Sequence, residues 1–502
     1  MCNKIKLIVA ITLYSFISLV SIAQPSKALD KSNQKPNILW IYVEDMNDWM
    51  GAYGDNTVET PNIDYIANTG VRFNNAIMPA PVCSSTRSAI ITGSMPTTLG
   101  VHNHRSSRGK NSQIYLPKGY KTIPELFNDK GYQTFNMGKE DYNFNYKHNE
   151  MFSLDPITDN LKKFRANPRG VVQKGAKFKL SELDSNKPFF GQIQLEGGKD
   201  KAKAISKIHP NDMMDKIPPY YPTHPSFLKA WARHYEQIAI TDMRVGKILD
   251  ELKENNLLSN TVIFFFTDHG MVLPRHKQFV YEGGIRVPFV VSWLNGNDKL
   301  RHHGAVREDI INGIDIGTSS LALAGIEIPD CMEGDDLFAR DYQFKEYTIA
   351  ARDRLDYTFD RIRAVRSKHF KYIKNYFPER PYMQAQYRDL HPQKFPFMSA
   401  YKKLYQAGKL TPAQAAFMSE TRPAEELYDL VNDPHELNNL AKDKDFNSQL
   451  LKHRKILFDW IKVTGDKGQY KEPDEGIADV IKRWGDNCIS AECVNYRKKD
   501  SS

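Results

Sequence analysis

Two stretches of this chain are apolar almost without interruption, and each ends in acid. Pro36-Asn37-Ile38-Leu39-Trp40-Ile41-Tyr42-Val43 runs into Glu44-Asp45, and Thr261-Val262-Ile263-Phe264-Phe265-Phe266-Thr267 runs into Asp268-His269-Gly270. Short apolar runs without alternation predict strands buried on both faces, the situation of a central, mostly parallel sheet packed between helices. Ligands of open α/β sheets gather at the carboxyl ends of such strands. Glu44, Asp45, Asp268 and His269 are therefore candidate ligands of one shared cation. The pattern recurs at Tyr132–Met137, which delivers Gly138-Lys139-Glu140-Asp141, and at Lys187–Leu195, which delivers Glu196-Gly197-Gly198-Lys199. Another strand is expected around Val71–Ala76. A long helix over Ala230–Asn255 carries Ile238, Val245, Ile248, Leu249 and Leu252 as one apolar stripe, which marks it as core.

The chemistry is expected at Pro79–Gly93. With a helix starting near Ser84 or Ser85, the spacing of Cys83 and Arg87 puts both side chains on one face, at an end whose free N–H groups favour an anion. That is an oxyanion site beside a nucleophile. His102 and His104, in Gly100-Val101-His102-Asn103-His104-Arg105, are read either as surface residues or as reaching the same pocket to bind substrate.

With 502 residues the chain is long enough for a large domain and a smaller one. Residues 1–23, with Lys4 and Lys6 before an apolar Ile5–Val20, read as a secretory signal too short to span a membrane, and 24–35 as a linker. A secreted or periplasmic protein is expected. Residues 36–346 form the catalytic domain of this reading and 347–502 a C-terminal subdomain, with the tail after Lys442 unassigned. Of the cysteines, Cys488 and Cys493 are near enough in sequence for a local disulfide. A formal charge of +9, dispersed along the chain, suits a polyanionic substrate, and no aromatic-interleaved basic motif points to nucleic acid.

Cys83-Ser84-Ser85-Thr86-Arg87 with Thr92-Gly93 resembles the Cys-x-(Pro/Ser/Ala)-x-Arg signature of type I sulfatases. Thr60-Pro61-Asn62-Ile63-Asp64, Asp268-His269-Gly270 and Glu282-Gly283-Gly284-Ile285-Arg286-Val287-Pro288 agree with the same family. Arg363-Ala364-Val365-Arg366 and Asn375–Tyr382 look most like its sulfamidase and polysaccharide-sulfatase branch. The resemblance implies an alkaline-phosphatase-like α/β fold with a smaller antiparallel C-terminal subdomain. It also implies a formylglycine made from Cys83 by a maturation enzyme, a calcium ion on Glu44, Asp45, Asp268 and His269, and a sulfated oligo- or polysaccharide substrate. Arg87, Lys139 and Lys277 would bind the sulfate. Asp141 and Lys199 stand where the family carries histidines, and both are candidates for proton transfer. A phosphatase or phosphodiesterase of the same superfamily and a carbohydrate-binding pseudoenzyme are the competing expectations.

Overall fold

The computed structural model describes residues 35–154, 179–300 and 304–500; the expected signal and nearly all of the linker lie outside them. Among these described residues eleven strands form two sheets. Those of the larger sheet are β1 (Asn37–Val43), β2 (Gly70–Ile77), β3 (Gln133–Met137), β4 (Phe189–Leu195), β5 (Thr261–Thr267), β6 (Arg286–Ser292) and β7 (Ala305–Asn312), in the order β3-β4-β1-β5-β6-β2-β7. Neighbours from β3 to β5 pair in parallel, as do β2 and β7, and β6 is antiparallel to β5 and β2. The sheet is thus mixed and mostly parallel, as expected.

The uninterrupted apolar runs follow from burial on two sides. In β1, Leu39, Ile41 and Val43 face one core cluster while Ile38, Trp40 and Tyr42 face the other; in β5, Ile263 and Phe265 divide from Val262, Phe264 and Phe266 in the same way. The helix Pro225–Glu254 lays its stripe, Ile238, Val245, Ile248, Leu249 and Leu252, into the first of these clusters. It starts earlier than its apolar period suggests because Pro225 fits the first turn and the His224 side chain accepts a hydrogen bond from the Ser226 N–H.

The second sheet is antiparallel, in the order β11-β10-β9-β8, from β8 (Tyr347–Arg352), β9 (Ile362–Ser367), β10 (Phe370–Asn375) and β11 (Glu425–Asp429). The tail beyond it is held by buried ion pairs. Arg363, on β9 and fully buried, reaches both carboxylate oxygens of Asp466 at 2.8 and 2.9 Å and Asp353 at 3.0 Å, and Arg354 binds Glu472 at 2.5 and 2.9 Å. Cys488 and Cys493 form the expected disulfide, in a small core with Tyr357, Phe359, Ile477 and Val480. Among the described residues no helix is long and apolar enough to cross a membrane.

Candidate active site

Parallel pairing places four strand ends side by side. Val43 is level with Leu195 on one flank and Thr267 on the other, and Met137 with Ile193. The residues that follow, Glu44-Asp45, Lys199, Asp268-His269 and Lys139, therefore converge although they are far apart in sequence. Backbone bonds from Glu44 N to Leu195 O, Asp268 N to Val43 O and Gly198 N to Glu44 O, all within 3.1 Å, lock this edge. The approach of the β4 loop to Asp45 requires glycine: a Cβ on Gly198 would lie 2.1 Å from the Asp45 carbonyl oxygen.

The helix that carries the expected nucleophile runs Cys83–Thr92, so it begins at Cys83 itself, after an extended Val82, rather than at Ser84 or Ser85. All of its residues are buried, a demanding situation for so polar a helix. Its hydroxyls are satisfied: Ser85 donates to His102 O at 2.7 Å, Thr86 to Ala80 O at 2.5 Å, and Ser88 and Thr92 to carbonyls one turn back at 2.7 Å. Cys83 Sγ lies 3.1 Å from His269 Nε2, 3.4 Å from Lys277 Nζ, 3.5 Å from Lys199 Nζ and 3.9 Å from Asp45 Oδ1. Burial pushes this thiol up, but Lys139, Lys199 and Lys277 outweigh it and hold the group at about 7. Arg87, one turn on, sits 4.1 Å over the Tyr42 ring and spans Glu44 (3.1 Å), Gln194 (2.7 Å) and Asp268 (3.6 Å).

Asp45, Cys83, Asp268 and His269 can place one ligand atom each within 4.8 Å of one another. His269 Nδ1 is 2.9 Å from the Gly270 carbonyl, to which it can only donate, and this leaves Nε2 turned toward the cluster. Asp268 Oδ2 is buried without a hydrogen bond, while Oδ1 accepts from the Asp45 N–H at 2.9 Å. A buried carboxylate oxygen with no hydrogen bond, its ion-pair partner Arg87 at 3.6 Å, and an imidazole lone pair in the same cluster fit a bound cation. Glu44 is placed differently from the other expected ligands: its carboxylate is shared by Arg87, Lys139 and Lys199. Lys277 pairs with Asp45 at 2.9 and 3.0 Å.

Asp141 is buried between Lys139 (3.1 Å) and Arg108 (3.0 Å). Burial opposes its charge, yet Lys139, Arg105 and Arg108 hold it well below the usual carboxylate range. It carries a charge and no proton at neutral pH. Burial likewise opposes the charge on Lys199, but Asp45, Cys83 and Glu44 raise its pKa well above the ordinary lysine value. Lys199 is thus a fixed cation.

His102 and His104 both line the cavity, of about 2210 Å³, into which Cys83, Lys139, Lys199 and Lys277 also open. His104 Nδ1 is 3.2 Å from Asp356 Oδ1; burial lowers this histidine to about 4, so it stands neutral. Burial lowers His102 as well. His209, by contrast, is exposed, accepts from the Asn211 N–H and does not line this cavity.

The Sulfatase family model matches residues 36–326. The chain belongs to the sulfatase family. A second model, for the C-terminal part of N-sulphoglucosamine sulphohydrolase, matches residues 268–393. An ulvan-active sulfatase of Formosa agariphila is 31% identical over 474 residues, covering 88% of this chain and 78% of the relative. The N-acetylgalactosamine-6-sulfatase of Sus scrofa is 26% identical over 355 residues, 61% of this chain and 65% of its own. In fold the chain resembles a solved 2-O GAG sulfatase, with a TM-score of 0.60, 20% identity, and coverage of 88% of this chain and 95% of the other.

Several residues of this sulfatase's site carry no local sequence signal. Asp356, with a left-handed backbone (φ 51°), comes from the loop after β8 and accepts a hydrogen bond from Gln278 at 2.9 Å as well as facing His104. Gln194 could be suspected only as one of two glutamines, with Gln192, in a strand that is apolar at most other positions. Arg388 anchors the Lys277 loop through Val272 O (2.6 Å), Lys277 O (2.9 Å) and Gln278 (2.7 Å). The unassigned tail turns out to wall the cavity, through Lys467, Tyr470, Arg483 and Trp484.

Proposed function

We propose that this sulfatase is an exported enzyme that hydrolyses sulfate esters on a sulfated polysaccharide or glycosaminoglycan fragment, using a formylglycine made from Cys83 and a calcium ion. The observation that carries it is the setting of Cys83: a buried residue at a helix start, with its sulfur within 3.5 Å of two lysines and a histidine, beside a cluster able to hold a cation. Asp45, Asp268 and His269 would hold the calcium. Conversion of Cys83 replaces a soft sulfur by oxygen, which moves the donor set toward what a hard cation takes. When bound, the ion supplies charge stabilisation to the sulfate and lowers the pKa of a neighbouring hydroxyl, and the hydrated aldehyde supplies the nucleophilic oxygen.

The chain's own residues do the rest electrostatically. Arg87, Lys139, Lys199 and Lys277 surround the position of the transferred group, and three carboxylates, Glu44, Asp45 and Asp268, hold them in place. These cations are arranged before substrate arrives, as stabilisation of developing negative charge requires. Lys199, a fixed cation, offers a hydrogen bond to the departing sugar oxygen and stabilises the charge that develops there. Asp141 keeps Lys139 aimed, and His104, neutral and facing Asp356, is the acceptor for a proton in the cavity. The relatives named for ulvan and for N-acetylgalactosamine 6-sulfate support a saccharide substrate.

Mass spectrometry of the peptide containing Cys83, from protein made with a maturation enzyme, should show an aldehyde that reacts with a hydrazine probe. Sulfate release from sulfated saccharides by the same material should fall at least a hundredfold on calcium chelation and return on adding the ion. An unmodified cysteine in fully active enzyme would overturn the nucleophile, and full activity without metal would overturn the ion.

A further inference from the structure

Beyond the residues that surround the transferred sulfate, the cavity holds a second set of cations that the chemistry above does not use. Arg105, in the loop after the nucleophile helix, has a left-handed backbone (φ 56°). Its guanidinium makes no hydrogen bond or ion pair among the described residues, and its Nε is buried without a partner. Arg108, three residues on, reaches Asp141 at 3.0 Å. From the far end of the chain, Arg483 of the helix Asp474–Trp484 lines the same cavity and likewise has no ion pair among the described residues. The three guanidinium groups sense one another: Arg483 is lowered to about 10, first by burial and then by Arg105, with Arg108 adding to it. Asp141, Asp356 and Glu44 face Arg105, and Asp356 and Asp141 face Arg483, but none of them forms an ion pair with either guanidinium among the described residues. A guanidinium whose buried Nε has no partner, in a cavity it shares with a second guanidinium that has no ion pair, is a site for a planar or trigonal anion.

We propose that Arg105, Arg108 and Arg483 form a second anion subsite, which takes a carboxylate or sulfate group of the saccharide other than the sulfate being removed. The inference rests on the sulfatase reading above and narrows it: the preferred substrate carries at least two anionic groups. The ester under attack has its own cations in Arg87, Lys139, Lys199 and Lys277, and the charges that act most on Arg483 are those of Arg105, Asp356, Asp141 and Arg108. Trp484 and the largely exposed Tyr470 line the same wall and offer flat apolar faces to a sugar ring.

The test uses matured full-length enzyme and three disaccharides: one with a single sulfate and otherwise neutral, the same with a uronate carboxylate, and the same with a second sulfate. Wild-type kcat/KM should favour at least one doubly charged substrate tenfold or more over the first. Arg483→Ala should remove about tenfold of that preference through KM, Arg105→Gln should act in the same direction, and Arg483→Lys should recover part of it. A response to the uronate alone names the ligand a carboxylate, and to the disulfate alone a sulfate. No preference in the wild type, or equal losses on all three substrates, would overturn the subsite. Should the wild type release sulfate from none of them, the sulfatase reading fails instead. Calorimetric binding of the disulfated disaccharide to wild type and Arg483→Ala then decides the subsite separately, equal affinities sinking it.

Discussion

The floor of the cavity and its outer wall are both rich in charge, but they hold it differently. On the floor, Arg87, Lys139 and Lys277 are buried and paired with Glu44, Asp45 and Asp268, each of which is also buried. On the wall, Arg483 and Lys482 stand largely exposed on a tail helix, without a carboxylate partner among the described residues. Charges of the first kind cannot move or be screened, so they fix the position of a small transferred group. Charges of the second kind are adaptable and in contact with salt, which suits a long substrate gripped at several points. The difference teaches that one cavity can hold two kinds of charge, and it fits the proposed division between chemistry on strand ends and recognition on a peripheral tail.

The sharpest way to break this division is at its centre. Cys83→Ala should eliminate sulfate release while circular dichroism and the thermal transition stay those of the wild type; residual turnover would mean that the floor does not house the nucleophile. Next in size is Arg87→Ala, which takes from buried Asp268 its guanidinium partner and from Glu44 one of its three cations. Denaturant unfolding should report a loss of about 3–5 kcal/mol, as is typical when one member of a buried pair is removed. The matching wall substitution, Arg483→Ala, should change stability by less than about 0.5 kcal/mol. Similar losses at the two positions would erase the contrast.

Between floor and wall lies the clamp that carries the tail. Arg363→Ala leaves Asp466 and Asp353 buried without their cation, and the tail beyond β11 should become susceptible to limited proteolysis. KM for a sulfated polysaccharide should rise more than KM for a small aryl sulfate, because the tail wall touches only the larger substrate; parallel increases would place the tail's role elsewhere. The smallest effect expected is from salt. Raising ionic strength from about 0.05 to 0.5 M shortens the screening length from roughly 14 to 4 Å. Steady-state kinetics should show KM for the polysaccharide rising several-fold with kcat nearly constant, since the floor charges are shielded from the solvent. A falling kcat would show that the floor is wetter than its burial implies.

Much of the floor was legible because it is encoded locally. Each unbroken apolar run ends in the residue that matters, and a parallel sheet with helices on both faces brings such ends to one edge. Cys83 and Arg87 share a helix, so their proximity needed no long-range information. The roles of Glu44, Asp141 and Lys199 were harder to read, since a side chain's charge state and partner depend on which strands become neighbours. Glu44 looked like a ligand equivalent to Asp45, yet in space it is the anchor for three cations. Asp141 and Lys199 looked like proton carriers in place of histidines, and their surroundings keep both permanently charged.

By itself, then, the sequence determined the strands, the acid and lysine at their ends, the Cys83–Arg87 turn and the local disulfide. All of these depend on periodicity or on residues a few positions apart. Only the tertiary structure decided that Asp356 faces His104, that Arg388 braces the Lys277 loop, and that the tail closes one side of the cavity with Arg483 beside Arg105. Those pairings join segments separated by hundreds of residues through buried ion pairs and packing, and no local pattern announces where such contacts will fall.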